Sequence, residues 1–231
     1  EYLLPDDYRL DLQLSQLTQK LDIPTTVVDT EHFLTSRQQV AQLFQGKKRY
    51  LMESFYRQMR KRHDILMEKS KPAGGKWNYD RSNRQRYDGK VPLPDSCGFS
   101  NDVSDIVSMV RRCRVSTFGR IDPKQLIWPV SRKQALRQLE TFVKQRLPHF
   151  GTYQDAMTSD NGFLFHSLLS FALNTKMLHP MEVIQAAIAR SRTTSGGVVG
   201  IEQLEGFIRQ ILGWREYMRG IDVAHMPAYG R

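Results

Sequence analysis

Only one stretch of this 231-residue chain reads as a β-strand. It is Thr25-Thr26-Val27-Val28, a β-branched run that follows Pro24 and ends at Asp29; such residues suit a pleated surface better than a helix. One strand cannot make a sheet. Elsewhere apolar residues recur at helical spacing, so the chain is expected to be mainly α, with at most a remnant of an α/β unit around that strand.

From Tyr8 to about Leu21 the apolar positions Leu10, Leu14, Leu17 and Leu21 recur at helical spacing. From about Thr35 to Lys69 the pattern is helical in two pieces broken near Gly46, with the stripe Met52, Phe55, Met59, His63 and Leu66 apolar apart from its histidine. Between Pro72 and Pro94 the composition shifts to Gly, Asn, Asp, Arg and Pro, which marks a loop or linker. Ser100 or Asn101 is placed to cap a helix burying Ile106, Met109, Val110 and Cys113. After Trp128-Pro129 the pattern is almost wholly helical. Ser131 is the expected N-cap of a helix with Leu136, Leu139, Phe142 and Val143 inward, and Pro180 opens a helix to about Ala189. TTSGGVVG reads as a loop, and a last helix spans roughly Ile201 to Gly220. The expected boundaries are 1–71 for the α/β remnant, 72–125 for a linker with one helix, and 126–231 for an all-α region.

Hydrophobic content of 40% and charged content of 25% are those of a globular chain. No apolar run approaches the ~20 residues of a membrane span, and EYLLPDDYRL lacks the basic and apolar regions of a signal peptide, so a cytoplasmic protein without a membrane partner is expected. Two cysteines, Cys97 and Cys113, form neither a disulfide framework nor a zinc pair, and no metal site is expected. A net charge of +10 and a pI near 9.7 favour a polyanionic partner, nucleic acid first. In the segment from Lys47 to His63, the cations Lys47, Lys48, Arg49, Arg57, Arg60, Lys61 and Arg62 are candidates for phosphate contacts, and Glu53–Arg57 is an ordinary helix pair.

Two stretches carry the candidate chemistry. HSLLSFALNTKMLHPMEV, residues 166–183, is apolar enough for a buried helix, yet His166, Ser167, Ser170 and Asn174 fall on one helical face. A helix beginning near His166 offers unpaired N–H groups and hydroxyls to a phosphate; equally, Ser167 caps the helix and Ser170 bonds back to its own turn. In EGFIRQILGWREYM, Gly206, Gln210, Gly213 and Tyr217 share a stripe. Two helical glycines at roughly 1 kcal/mol each leave room for a flat ligand or for close helix packing, and spacing does not choose between them.

These stretches resemble the photolyase/cryptochrome family. HSLLSFALNTKMLHPMEV is similar, without a gap, to its flavin-phosphate motif TSRLSPYLHFGEISPREV, and GWREYM resembles its WREF helix. KKRYLMESFYRQMRKRHDILM, GGKWNYDRSNR, WPVSRKQAL, RLPHFGTYQDAM and EGFIRQILGWREYMRGI resemble the bacterial iron–sulfur branch, the photolyase-related proteins and (6-4) photolyases, in family order over nearly the whole chain. The resemblance implies FAD. Tyr153 falls at the tyrosine beside the flavin phosphates, and His166, Ser167, Leu168, Leu169 and Ser170 occupy the positions that wrap the pyrophosphate. His166 and Leu168 depart from the Thr and Arg of the motif, leaving more to backbone donors. Gln210 matches a position that meets flavin and lesion, usually Glu in other branches. Trp214 and Arg215 fall where the family lines the lesion cavity or reaches DNA, although one extra residue precedes Trp214 relative to the common motif.

The implied function is light-driven, FAD-dependent repair of UV-induced pyrimidine lesions, of the (6-4) type, by a monomer acting on damaged DNA. The alternatives are a cryptochrome-type photoreceptor without repair, and a nucleic-acid-binding module without cofactor. The family's [4Fe-4S] cluster and lumazine antenna take ligands that lie mostly outside this chain. By resemblance the chain corresponds to an internal portion: the end of the antenna-binding α/β domain, a linker, and the first helices of the FAD-binding domain. No catalytic residue is assigned.

Overall fold

The computed structural model describes residues 1–95, 98–193 and 198–226. Cys97 and residues 194–197 of the TTSGGVVG stretch lie outside the described residues. The chain is mainly helical and divides into two compact units: Glu1–Asn78 with His179–Ile184 and Phe207–Arg231, and Tyr79–Leu178 with Gln185–Gly206.

In the first unit the expected strand has a partner that sequence reasoning missed. β1 (Tyr2–Leu3) pairs in parallel with β2 (Val27–Val28), with Tyr2 opposite Val27 and Leu3 opposite Val28. Helix α1 (Tyr8–Lys20) connects them, so the segment is a β-α-β unit. Asp7 caps α1, its carboxylate accepting from the N–H groups of Arg9 at 2.9 Å and Leu10 at 3.1 Å. None of the leucines of α1 is buried. α2 (Arg37–Phe44) starts in a capping box between Ser36 and Gln39. Gly46, at φ +70°, breaks it from α3 (Met52–His63), as the sequence predicts. α3 buries Phe55, Tyr56 and Met59. It is followed by a hairpin of β3 (Met67–Glu68) and β4 (Lys71–Pro72).

In the second unit, α4 (Ser104–Arg112) corrects the sequence reading. It has no side-chain cap and buries nothing; Ile106 and Met109 are exposed, as is the Cys113 thiol. Asn101 instead donates from its amide to the carbonyl of Trp128 at 2.9 Å and pairs with the Gln134 amide. α5 (Arg132–Thr141) is capped by Ser131, whose hydroxyl accepts from Gln134 N–H at 3.3 Å. Leu139, Phe142 and Val143 face inward as expected, but Leu136 is exposed. A π-helical turn, Phe142–Arg146, leads into α6 (Leu147–Tyr153), and α7 (Ser170–Asn174) follows after a loop. α8 (Pro180–Ser191) starts at its proline as predicted. The last helix is three pieces: α9 (Ile201–Ile208), a second π-helical turn at Arg209–Arg215, and α10 (Glu216–His225). α8 and α9 each have residues in both units. Among the described residues no helix is long and apolar enough to cross a membrane.

Candidate functional site

The stretch from His166 to Val183 does not fold as the sequence predicts. The helix starts at Ser170, not near His166, and ends at Asn174. Asn161 causes the difference: its side-chain oxygen accepts from the N–H groups of Phe163 at 2.8 Å and Leu164 at 2.7 Å, and winds the chain into a turn. The His166 N–H closes that turn on the Phe163 carbonyl at 3.0 Å. Leu164 and Leu168 then sit at φ +41° and +57°, outside the α-helical region. His166, Ser170 and Asn174 therefore do not form a helical face. Neither is the capping alternative realised, because α7 has no side-chain cap; the Ser167 hydroxyl accepts from Leu169 N–H only at 3.5 Å.

The arrangement leaves donors for an anion. The backbone N–H groups of Ser167, Leu168 and Ser170 meet no acceptor among the described residues, and Ser170 is exposed at the start of α7. Burial, then the nearby Arg146, lowers the His166 pKa and so favours the neutral ring, opposed by Asp155 and by a bond with the Gln154 backbone. Leu169 is buried and anchors the loop, and Leu168 supplies no charge. The donors that this loop turns toward solvent are therefore neutral ones, serine hydroxyls and backbone amides.

Tyr153 stands behind this loop. Its ring stacks on Phe165 at 5.2 Å and receives the edge of Tyr87 at 5.5 Å, within a cluster that includes Ala156 and Leu164. Burial, then the carboxylate of Asp88, raises its pKa, so the phenol keeps its proton and remains a donor. Sequence reasoning missed Arg146, which is buried and donates to the carbonyls of Leu164 at 2.6 Å and Asp95 at 3.2 Å. It thereby fixes the loop that carries His166 to Ser170. The available signal was a cation three and four residues after the inward Val143 and Phe142, on a helix's apolar side.

In the other unit, Gln210, Trp214 and Arg215 all lie in the π-helical turn Arg209–Arg215. A π turn holds one residue more than an α turn, which accommodates the extra residue before Trp214 without ending the helix. Room for a flat ligand over the glycines is absent. A Cβ on Gly213 would lie 3.2 Å from the Tyr56 ring and 3.3 Å from the Met52 sulfur, so this face packs against α3. Gly206, in the second unit, meets the Asn83 amide and the backbone of Gly151. Close packing explains both glycines. Gln210 is half-buried and Trp214 is 41% exposed, with Tyr217 edge-on at 6.0 Å.

Arg215 points inward. It donates to the His32 carbonyl at 3.0 Å and to the His32 ring nitrogen at 2.7 Å, and lies 4.1 Å over the Phe33 ring. Glu216 is 0% exposed and accepts from the N–H groups of Leu34 at 2.9 Å and Thr35 at 3.2 Å and from the Thr35 hydroxyl at 2.8 Å. Burial pushes its carboxyl pKa up, against those bonds and the charges of Arg215 and Arg219. Arg219 joins Asp6 and Asp29, each at 3.2 Å, and donates to the Thr35 carbonyl. In the Trp-Arg-Glu run, arginine and glutamate therefore grip residues 32–35, and tryptophan is left facing out.

One basic-segment expectation is overturned. Arg60 is 0% exposed and donates to the carbonyls of Ile65 at 3.3 Å, Trp77 at 3.0 Å and Leu66, so it cannot meet a phosphate. Lys47, Lys48, Arg49, Arg57, Lys61 and Arg62 are exposed, and the Glu53–Arg57 pair is present at 3.1 Å. Among the described residues no group of acidic, histidine and cysteine side chains could hold a metal.

Residues 1–126 match the family of deoxyribodipyrimidine photo-lyase-related proteins. A (6-4) photolyase of Agrobacterium fabrum is 35% identical over 227 residues, which is 97% of this chain and 44% of that protein. Two uncharacterized proteins of Acanthamoeba polyphaga mimivirus are 31% identical over 91 residues and 36% over 67, covering 38% and 29% of this chain. The chain spans 44%, 46% and 50% of these curated relatives. With more than half its length matched by the family and the resemblance running on to the Trp-Arg-Glu helix, the chain belongs to the deoxyribodipyrimidine photo-lyase-related proteins.

Proposed function

We propose that this chain is part of a light-driven, FAD-dependent photolyase of the (6-4) type, acting on UV-damaged DNA in the cytoplasm. The observation that carries the reading is 35% identity over 97% of the chain to a protein named as a (6-4) photolyase. On this reading residues 1–71 belong to an antenna-binding α/β domain, 72–125 to a linker, and 126–231 to a helical FAD-binding domain. The cluster and the lumazine take their ligands elsewhere.

The flavin, when bound, supplies light absorption and the electron delivered to the lesion. This chain's residues bind and orient. Ser167 and Ser170, with the amides of Ser167, Leu168 and Ser170, hold the pyrophosphate through neutral donors, and Tyr153 adds a protonated phenol. Arg146 holds the loop in place through the Leu164 carbonyl. Gln210, half-buried in the π turn, is the amide on this reading that meets the lesion. Trp214 offers an exposed indole to an unstacked base, and damaged, unpaired nucleotides cost least to extrude. Arg215 positions this turn from within.

The test is repair of an oligonucleotide bearing a (6-4) photoproduct by a family protein containing these 231 residues, in blue light and in darkness. Light-dependent loss of the lesion is expected. Bound FAD without any repair would favour the photoreceptor alternative, and absence of FAD from the whole protein would leave only a nucleic-acid-binding module. The 231 residues alone are expected to be colourless after desalting from FAD.

A further inference from the structure

The repair reading makes no use of the basic run after Lys47 or of the GGKWNYDR stretch, yet the structure joins them. From inside α3, the buried Arg60 guanidinium reaches the carbonyls of Ile65, Leu66 and Trp77. It thereby fixes the β3–β4 hairpin and Trp77 against the end of the helix. On the outer side, the Arg57 guanidinium lies 5.4 Å and the Lys61 ammonium 5.5 Å from the Trp77 ring centroid. Arg57 is partly neutralised by Glu53. Lys61, Arg62, Lys69 and Lys71 are exposed and form no ion pair among the described residues.

The carbonyl end of α3 accounts for cations in its last turn. It does not account for the hairpin. The two residues of the hairpin turn, Lys69 and Ser70, have φ of +44° and +68°. Asn-Gly is the unstrained choice for such a turn, and a residue with a Cβ sits there at a cost. A lysine at a strained tip, beside cations without ion pairs on a rigid helix, points to a polyanion.

We propose that the outer face of α3 and the β3–β4 tip bind the sugar-phosphate backbone of duplex DNA without reading its sequence. Single strands are usually held by stacking bases on aromatic rings. Here the Trp77 ring is already engaged by Arg57, Arg60 and Lys61, so phosphate contact is what the surface offers. This surface is distinct from the residues proposed to meet flavin and lesion, and it does not depend on repair.

The test is binding of an undamaged duplex to this chain in the dark, by fluorescence anisotropy over a range of salt. Each lost phosphate contact lowers the slope of log affinity against log salt by about 0.9. Lys61→Gln/Lys69→Gln/Lys71→Gln should lower it by about 2–3, with at least a tenfold loss of affinity at low salt. Arg111→Gln/Arg112→Gln/Arg114→Gln removes as much charge from α4 and the turn after it, and should change the slope by less than one contact. Lys69→Gly relieves the strained turn while deleting one charge, so it should fold at least as stably and still bind less. An unchanged slope in the first variant, equal losses in both triple variants, or tighter binding of a single strand than of the duplex each overturns the proposal. None of these outcomes bears on light-driven repair.

Discussion

Replacing Glu216 tests how the Trp-Arg-Glu turn is held. Its carboxylate is fully buried and accepts from two backbone N–H groups and one hydroxyl of Leu34 and Thr35. A hydrogen bond to a charged group contributes about 1.5–3 kcal/mol, and an orphaned buried donor costs about 1–3 kcal/mol. The three donors share one acceptor group, so their losses do not add. Arg215 at 3.8 Å and Arg219 also lose a compensating charge. Glu216→Ala should therefore destabilise by about 3–5 kcal/mol, the range found on breaking a buried charged pair. For a chain of this size that corresponds to a fall of roughly 6–20 °C in Tm. Glu216→Gln keeps one carbonyl oxygen as acceptor and should cost about half as much. Urea unfolding gives the free energies, and hydrogen exchange at the Leu34 and Thr35 amides locates the damage, since both should lose protection in Glu216→Ala. An alanine variant within about 0.5 kcal/mol of the parent, a range typical of unengaged surface positions, would refute the anchoring role.

Ser167→Ala/Ser170→Ala in a FAD-loaded family protein should lower flavin content while leaving thermal unfolding of the apoprotein nearly unchanged; equal occupancy would remove both hydroxyls from the proposed phosphate site. Gly220→Ala drives a Cβ into the Phe44 ring and within 2.9 Å of Val40, both buried, so overpacking of about 1–3 kcal/mol should outweigh the roughly 1 kcal/mol gained in helix propensity. Gly213→Ala meets the flexible Met52 and Arg209 at 3.3 Å and the Tyr56 ring at 3.2 Å, so its stability should stay within about 1 kcal/mol and flavin content should not move. Burial, then Arg62, lowers the pKa of His63 from 6.5, and its Nε2 is buried without a hydrogen bond. The unfolded chain then takes up the proton first, so the stability associated with the neutral ring is present above about pH 6.5 and is lost as pH falls through the lowered value. His63→Leu should stabilise by about 1 kcal/mol at neutral pH and by more at pH 5.5, as read from urea midpoints; a lower midpoint at both would sink the assignment.

What was legible in the sequence was what local spacing encodes. The break at Gly46, the Ser131 cap, the Pro180 start and the buried side of α3 follow from period, cap and φ preference at single positions. Misreadings arose where a partner distant in sequence decides the outcome. Tyr2–Leu3 is too short to declare itself a strand without Val27–Val28 beside it. The four-residue spacing of His166, Ser170 and Asn174 looks helical only until Asn161 bends the chain, because periodicity carries no record of a side chain that competes for backbone donors. Arg60 reads as a phosphate contact by residue type and Arg146 escapes notice, yet each is buried because backbone carbonyls converge on its guanidinium, and that convergence is a property of the fold. The Trp-Arg-Glu turn shows both sides of this. Its extra residue is visible in the sequence as a misfit with the family motif. Its consequence, a π turn that packs Gly213 on α3 while Arg215 and Glu216 hold residues 32–35, leaves the Trp214 indole free to face outward, and only the folded chain reveals it.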